Sequence, residues 1–375
     1  MDMVSRQLLS AIIISFVLGG IIAPTIQYEI NIKPLESKAE QTQNSLTELK
    51  NIANNDNQIY SYRYGLNYLS TNWHYEEKYL PNDTIQRDFN LFRNEGISNI
   101  TLAIVWSSIE SQKGVYNDDA LRDIIRVCKI AQRYNISVTI DFHTLMHNNS
   151  FTMPSWLTPR KFETVITDPM ARQSWLNFIN HCVSQLGNVT NISSWQMMNE
   201  PAIADWAVQV KIADFTQLWR EMRSTIRTSS NKPISIRFGG DALSTDFKYD
   251  PSIAEICDYI SINYYQDIGF NALTNIVQHY SGKKIVISEF GSGTNDDAVQ
   301  GYQIKEMVQI FQELKISEWN AYMWRADQSY GVPDLPGGGY NLALNDSGEP
   351  RLAFYFIKPQ YDIGSIHTII NQINK

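Results

Sequence analysis

Two glutamates stand where apolar runs end. Glu200 follows Ile192-Ser193-Ser194-Trp195-Gln196-Met197-Met198-Asn199 and precedes Pro201, and Glu289 closes Lys284-Ile285-Val286-Ile287-Ser288 just ahead of Phe290-Gly291. Either one alone is the ordinary end of a strand. On two different strands, however, they could converge on one bond, so that one carboxyl protonates a leaving glycosidic oxygen while the other attacks the sugar carbon. The two tasks need opposite protonation states. Burial and a negative neighbour favour the protonated form of a carboxyl, whereas hydrogen bonds donated to a carboxylate keep it ionised.

Residues in such roles need a rigid frame, and the chain alternates short β-rich runs with longer amphipathic ones from Tyr60 onward. The predicted strands are 62–68, 98–106, 136–143, 192–199, 233–238, 257–265, 283–289 and 319–324. Helical periodicity marks 119–134, 171–187, 211–228 and 297–315 between them. Eight strands joined by helices imply parallel βαβ units, and eight such units close most naturally into a (β/α)8 TIM barrel. No Gly-x-Gly-x-x-Gly follows the first strand, so an open dinucleotide-binding sheet is not supported. In a barrel the active site lies at the C-terminal ends of the strands, where both glutamates fall, after the fourth and seventh.

Composition excludes some partners. With a net charge of −8 and a pI near 5.3, the 375-residue chain lacks the basic stripe that neutralises phosphates, so no nucleic-acid partner is expected. Cys128, Cys182 and Cys257 have no Cys-x-x-Cys spacing and read as buried thiols, one disulfide remaining open if the chain is exported. The six histidines form no His-Glu-x-x-His or His-x-His pattern, so neither a metal nor another cofactor is expected. Trp73, Trp106, Trp156, Trp206 and Trp324 lie near predicted strand ends, where two or three of them could stack on sugar rings.

The first 28 residues read as a signal anchor or signal peptide. From Gln7 to Tyr28 no charge occurs, and Leu8 to Ala23, almost wholly apolar, is slightly shorter than the roughly 20 residues that cross a bilayer. Ile21-Ile22-Ala23 runs into Pro24 without a small-x-small cleavage pattern, which favours an anchor, and Arg6 favours an orientation that leaves the rest outside. A polar stalk over 29–58 follows, then the barrel over 59–360 and a short tail over 361–375.

The chain resembles the clan A retaining glycoside hydrolases, and most closely family 5, which holds cellulases and mannanases. The likeness covers about residues 60–358 and rests on Asn199-Glu200-Pro201 and Ile287-Ser288-Glu289-Phe290-Gly291. It implies that Glu200 is the general acid/base, Glu289 the nucleophile and Asn199 a ligand of the sugar 2-hydroxyl. Asp141-Phe142-His143, Asn263-Tyr264-Tyr265 and Trp324 match further family positions. By that likeness His143 lies near the acid/base, Tyr265 hydrogen-bonds the nucleophile, and Trp324 is a sugar platform. The substrate it implies is a β-linked glucan or mannan cut internally, with an exo-acting β-mannosidase or β-galactosidase as the alternative. A tethered glycan-binding protein without turnover is a second possibility. Two departures stand out: the second strand, Ile100-Thr101-Leu102-Ala103-Ile104-Val105-Trp106, lacks the family's arginine, and Asn263 replaces a histidine. Arg237, ending the fifth predicted strand, could supply the missing charge or could form an ordinary ion pair.

If anchor and stalk lie outside the barrel, a chain beginning at Asn57 will be soluble and will melt at the same temperature as the full chain held in detergent. Insolubility, or a large drop in melting temperature, would show instead that the stalk packs on the barrel.

Overall fold

The structure is a computed structural model that describes residues 62–68, 80–143, 152–201, 211–240, 242–265, 269–325, 340–344 and 348–359, although not the side chain of His143. All of them fall in the compact unit that begins at Ser61. The anchor, the stalk, the tail, Trp73 and Trp206 lie outside the described residues. Among the described residues no helix is long and apolar enough to cross a membrane.

Eight strands form one closed parallel barrel in sequence order: β1 (Arg63–Asn67), β2 (Asn99–Val105), β3 (Ser137–His143), β4 (Ile192–Asn199), β5 (Ile234–Gly239), β6 (Ile260–Tyr264), β7 (Ile285–Phe290) and β8 (Glu318–Ala321). β1 pairs with both β2 and β8, which closes the ring. The (β/α)8 expectation is met. Two predicted strands are shorter than expected at one end. Cys257 closes a helix, Pro251–Ile256, that Asp250 caps through Ser252 N–H at 2.8 Å, so β6 starts later. At the other end of the barrel, β8 stops at Ala321, and Tyr322 to Trp324 belong to the chain beyond it.

Helices form where apolar residues recur at helical spacing and a side chain caps the start. In the helix Asp118–Arg133, Leu121, Ile124, Cys128 and Ala131 are buried on one face, Asn117 accepts from Ala120 N–H at 3.3 Å, and Asn135 beyond the end adopts φ 58°. The helix Pro169–Leu186 starts with Asp168 as cap and proline in its first turn, and the helix Asp297–Glu313 is capped by Asp296. These helices cover the outer faces of the strands. There Ile100, Leu102 and Ile104 of β2 and Val138, Ile140 and Phe142 of β3 are fully or almost fully buried.

The inner face is polar. Asn99 Nδ2 donates to Asn320 Oδ1 at 2.8 Å, and Gln196 Nε2 donates to Ser261 Oγ at 3.0 Å. Gly65 makes room at the Asn99 level, since a Cβ there would lie 2.2 Å from Asn99 O and 2.3 Å from Asn320 Oδ1. Side chains buried this way must satisfy one another, because an unpaired polar group in the interior costs about 1–3 kcal/mol.

A buried ion pair joins the start of the fold to its end. Asp88, on the helix Asn82–Asn94, accepts from Arg325 at both oxygens, one bond measuring 2.7 Å, and from Tyr68 Oη at 2.8 Å. Asp88 and Arg325 are 1% and 4% exposed, so removing one partner strands a charge that water cannot reach. Asp88→Ala is therefore expected to cost about 3–5 kcal/mol in urea unfolding, and Asp88→Leu with Arg325→Met to recover most of it. A single-variant cost below about 1 kcal/mol would mean that the pair is solvated in solution.

Candidate active site

The C-terminal ends of β4, β5, β6 and β7 carry the residues singled out above, and two irregularities in the sheet present them. Between Gln196 and Asn199 β4 carries one residue more than β5, and between Ile287 and Glu289 β7 carries one more than β6. Such a bulge shifts the alternation of inner and outer side chains by one. Met198 consequently faces outward, accepting from Trp219 Nε1 at 3.1 Å, while the next residue, Asn199, pairs inside the barrel. The register then sets Asn199 beside Arg237 and Asn263 beside Glu289.

Glu289 is 5% exposed and both its oxygens are engaged. Oε1 accepts from Arg237 Nη2, and Oε2 accepts from Tyr265 Oη at 2.8 Å. Arg237, also buried, donates through Nη1 to Asp141 Oδ2 at 2.9 Å and through Nη2 to Asn67 Oδ1 at 3.0 Å. Burial works against its charge, but Glu289 and Asp141 outweigh that and raise its pKa above the ordinary value, so it stays a cation. Burial, reinforced by Glu289, pushes the phenol of Tyr265 well above its usual value, so Tyr265 is a neutral donor at pH 7. Arg237 thus brings to Glu289 from β5 the charge that the second strand lacks.

Glu200 lies in a different setting. Half-buried at the end of β4, it adopts φ 48°, a left-handed conformation that costs a residue with a side chain about 1–3 kcal/mol. Its N–H donates to Arg237 O at 2.8 Å, and its Oε1 accepts from Asn263 Nδ2 at 3.0 Å. Gly239 forms the floor beneath it: a Cβ there would lie 3.1 Å from Glu200 Cγ and 3.2 Å from Oε1. Asn263 ties the two glutamates' surroundings together. Its amide also donates to Asn199 Oδ1 at 3.0 Å, and its carbonyl accepts from Ser288 Oγ at 2.8 Å.

Glu200, Glu289, Asn199, Asn263 and Tyr265 therefore belong to one connected network. His143 ends β3, and its side chain, like Trp73, lies outside what is described. Two aromatic expectations need correcting. Trp106 is fully buried, packed against Trp156, Trp175 and Phe178, with Nε1 bonded to Glu110 Oε2 at 2.6 Å. Trp324 is fully buried too, with Phe92 edge-on at 4.9 Å, Phe354 at 5.0 Å and the Arg325 guanidinium at 5.6 Å from its ring. A sugar platform needs an open ring face, and neither ring has one. Among the described residues, tyrosines continue from the Tyr265 that bonds Glu289, with Tyr340 edge-on to Tyr265 at 5.6 Å and Tyr322 at 6.1 Å from Tyr340.

Sequence reasoning passed over Asn67, Asp141 as a partner of Arg237, Ser288, Tyr322 and Tyr340. A signal existed for the pairing of Asp141 with Arg237. Asp141 in Ser137-Val138-Thr139-Ile140-Asp141 and Arg237 in Ile234-Ser235-Ile236-Arg237 occupy the polar phase of an alternating strand, which in a closed barrel is the inner one. Among the described residues, no three His, Cys, Asp or Glu side chains are grouped to hold a metal ion.

Solved structures share this barrel. A GH5_18 protein from Streptomyces cattleya in complex with Manb1-4GlcNAc superposes with a TM-score of 0.68 at 13% identity, over 79% of each chain. The exo-beta-1,4-mannosidase Op5Man5 from Opitutaceae bacterium strain TAV5 gives 0.66 at 13% identity, over 80% of this chain and 61% of that one. A GH5_18 protein from Bifidobacterium longum subsp. longum, again with Manb1-4GlcNAc, gives 0.63 at 14% identity, over 79% and 77%. At these identities the likeness is one of fold. No curated protein matches the chain. The family model for Cellulase (glycosyl hydrolase family 5) matches residues 54–328, which include every member of the network around Glu200 and Glu289, and the chain therefore belongs to glycosyl hydrolase family 5 and is a glycosidase.

Proposed function

We propose that the protein is a retaining glycosidase that cleaves β-linked glycans by double displacement, with Glu289 as nucleophile and Glu200 as general acid/base. The observation that carries the assignment is the asymmetry between the two carboxyls. Glu289 is met by a guanidinium and a phenol, whereas Glu200 accepts an amide N–H from Asn263. Donors of that strength favour an ionised group poised to attack.

In the first step a Glu289 oxygen bonds to the anomeric carbon while the bond from that carbon to the leaving oxygen breaks. The departing electron pair takes the proton of Glu200, leaving a glycosyl ester on Glu289 and a carboxylate at Glu200. In the second step that carboxylate removes a proton from water, the hydroxide bonds to the anomeric carbon, and the ester bond breaks to restore ionised Glu289 and protonated Glu200. Two inversions leave the configuration as it began. Asn199, held by Asn263, is placed to meet the 2-hydroxyl of the sugar, where a hydrogen bond strengthens as the transition state forms.

The substrate class is a β-1,4-linked glucan or mannan. A specific second reading, exo-acting cleavage of a β-mannoside, is favoured by two shared-fold structures that hold Manb1-4GlcNAc and a third that is an exo-beta-1,4-mannosidase. Aryl β-mannosides and β-glucosides report exo action, and loss of viscosity in soluble glucomannan reports internal cleavage. The uncharged run from Gln7 to Tyr28 supports a membrane tether or export signal, with the catalytic domain facing the cell exterior.

Glu289→Ala is expected to lower turnover on the order of 10⁴-fold or more while glycan binding survives, and azide to restore part of it as a glycosyl azide of inverted configuration. Glu200→Ala with an activated aryl glycoside is expected to accumulate the glycosyl ester and, with azide, to give the azide of retained configuration. NMR of the products reads both outcomes. Wild-type turnover by Glu289→Ala would refute Glu289 as nucleophile, and glycan binding by the parent with no cleavage of any β-glycan would refute the glycosidase reading and favour a binding protein.

A further inference from the structure

Arg237 is held between two carboxylates, and the mechanism above uses only one of them. Glu289 meets its Nη2, and the fully buried Asp141 on β3 takes its Nη1 at 2.9 Å. Resting on the reading of Glu289 as nucleophile, we infer that Asp141 is a positioning residue that acts through Arg237: it trims the arginine's charge so that Glu289 stays basic enough to attack, and it keeps that charge paired once Glu289 has become an ester.

The argument is one of charge through the cycle. In the free enzyme Arg237 faces two carboxylates, and its charge is more than balanced. Once Glu289 is esterified, it no longer carries a charge. A guanidinium only 2% exposed would then be left without a counter-ion, a state that costs several kcal/mol when a buried pair is broken. Asp141 removes that cost because its carboxylate takes no part in bond making. The geometry suits the task. Asp141 and Glu289 occupy different guanidinium nitrogens, and Asn67 Oδ1, at 3.0 Å from Nη2, fixes the plane from β1. A lone arginine opposite Glu289 would favour its ionised form more strongly, making it a weaker nucleophile but a better leaving group.

Among the described residues, the titratable and charged groups around this centre are Arg237 from β5, Asp141 from β3, Tyr265 after β6 and Glu200 after β4, with Tyr322 after β8 beyond Tyr265. The signs of the expected shifts follow from these charges. Asp141→Asn leaves a net positive charge facing Glu289, which holds on to its ionised form to lower pH. The acidic limb of kcat/KM should move down by about one pH unit. kcat/KM should fall by about tenfold, the factor that one unit of lost basicity can carry. Under the same conditions kcat for a dinitrophenyl glycoside, limited by departure of Glu289 from the ester, should hold or rise. Arg237→Gln has the opposite sign: two carboxylates then face each other without a cation, and the limb should move up by about one unit. The double variant removes both charges and should return the limb towards that of the parent.

The experiment compares the pH dependence of these four proteins on the aryl β-mannoside or β-glucoside that the parent hydrolyses, with circular dichroism to establish folding. A limb in Asp141→Asn that stays where the parent has it, or equal losses in kcat/KM and in kcat for the dinitrophenyl glycoside, would reduce Asp141 to a structural ion pair and overturn the inference. If a single variant fails to fold, the double variant decides, since it removes the Arg237 cation and the Asp141 carboxylate together and leaves Glu289 with the Tyr265 hydroxyl. Its limb near the parent's supports the inference, and a limb raised by about one unit refutes it. Failure of the nucleophile reading itself looks different. In that case Glu289→Ala gives no inverted azide, whereas an azide adduct together with an unmoved limb removes only the role of Asp141.

Discussion

One buried cation organises the mouth of this barrel. Taking a guanidinium out of water costs several kcal/mol unless opposite charge and hydrogen bonds replace the lost solvent. Arg237 meets that condition with partners from three other strands: Asn67 on β1, Asp141 on β3 and Glu289 on β7. The polar lining of the barrel follows from the same constraint, since inner side chains that cannot reach water must pair across the axis. Asn67 shows the coupling. It accepts from Arg237 and donates from Nδ2 to Ser288 O at 3.0 Å and Ala321 O at 3.3 Å, so the closing strands β7, β8 and β1 are tied to the guanidinium.

The difference in setting between the two glutamates is a consequence of where that cation lies. Glu289 is gripped at both oxygens and has little freedom to reorient. Glu200 is placed by its backbone, through the left-handed φ and the N–H bond to Arg237 O, while its carboxyl rests over Gly239 against one amide donor among the described residues. A group that must shuttle a proton between a leaving oxygen and water benefits from such an open hold. A group that must attack along one line benefits from a rigid one. Asn263 joins the two environments, and an amide suits that place because it donates to Asn199 and Glu200 while accepting from Ser288, all without a charge of its own.

Large aromatics divide between core and site in a way that explains why composition misleads. Trp106, Trp175, Trp195, Trp219, Trp319 and Trp324 are all fully buried, which leaves the described aromatic wall beside Glu289 to Tyr265, Tyr322 and Tyr340. Indole rings supply large apolar area between the strands and the covering helices. Phenols tolerate the mixed setting beside a carboxylate because the hydroxyl can donate to it.

By itself the sequence determined the eight-stranded barrel, the spacing of its helices and the placement of Glu200 and Glu289 at strand ends, because hydrophobic periodicity, caps and prolines act over a few residues. It also showed that the second strand lacks an arginine and that Arg237 stands at the end of the fifth. The tertiary structure decided which of the open readings of Arg237 holds, since only closure of the ring brings β1, β3, β5 and β7 within hydrogen-bond reach across its axis. It decided the faces as well. One extra residue in β4 before Asn199 and one in β7 before Glu289 change which side chains point inward, and a strict two-residue alternation does not reveal either insertion. The fate of Trp106 and Trp324 was likewise a matter of packing: a strand-end tryptophan looks the same in sequence whether a helix covers it or a sugar does.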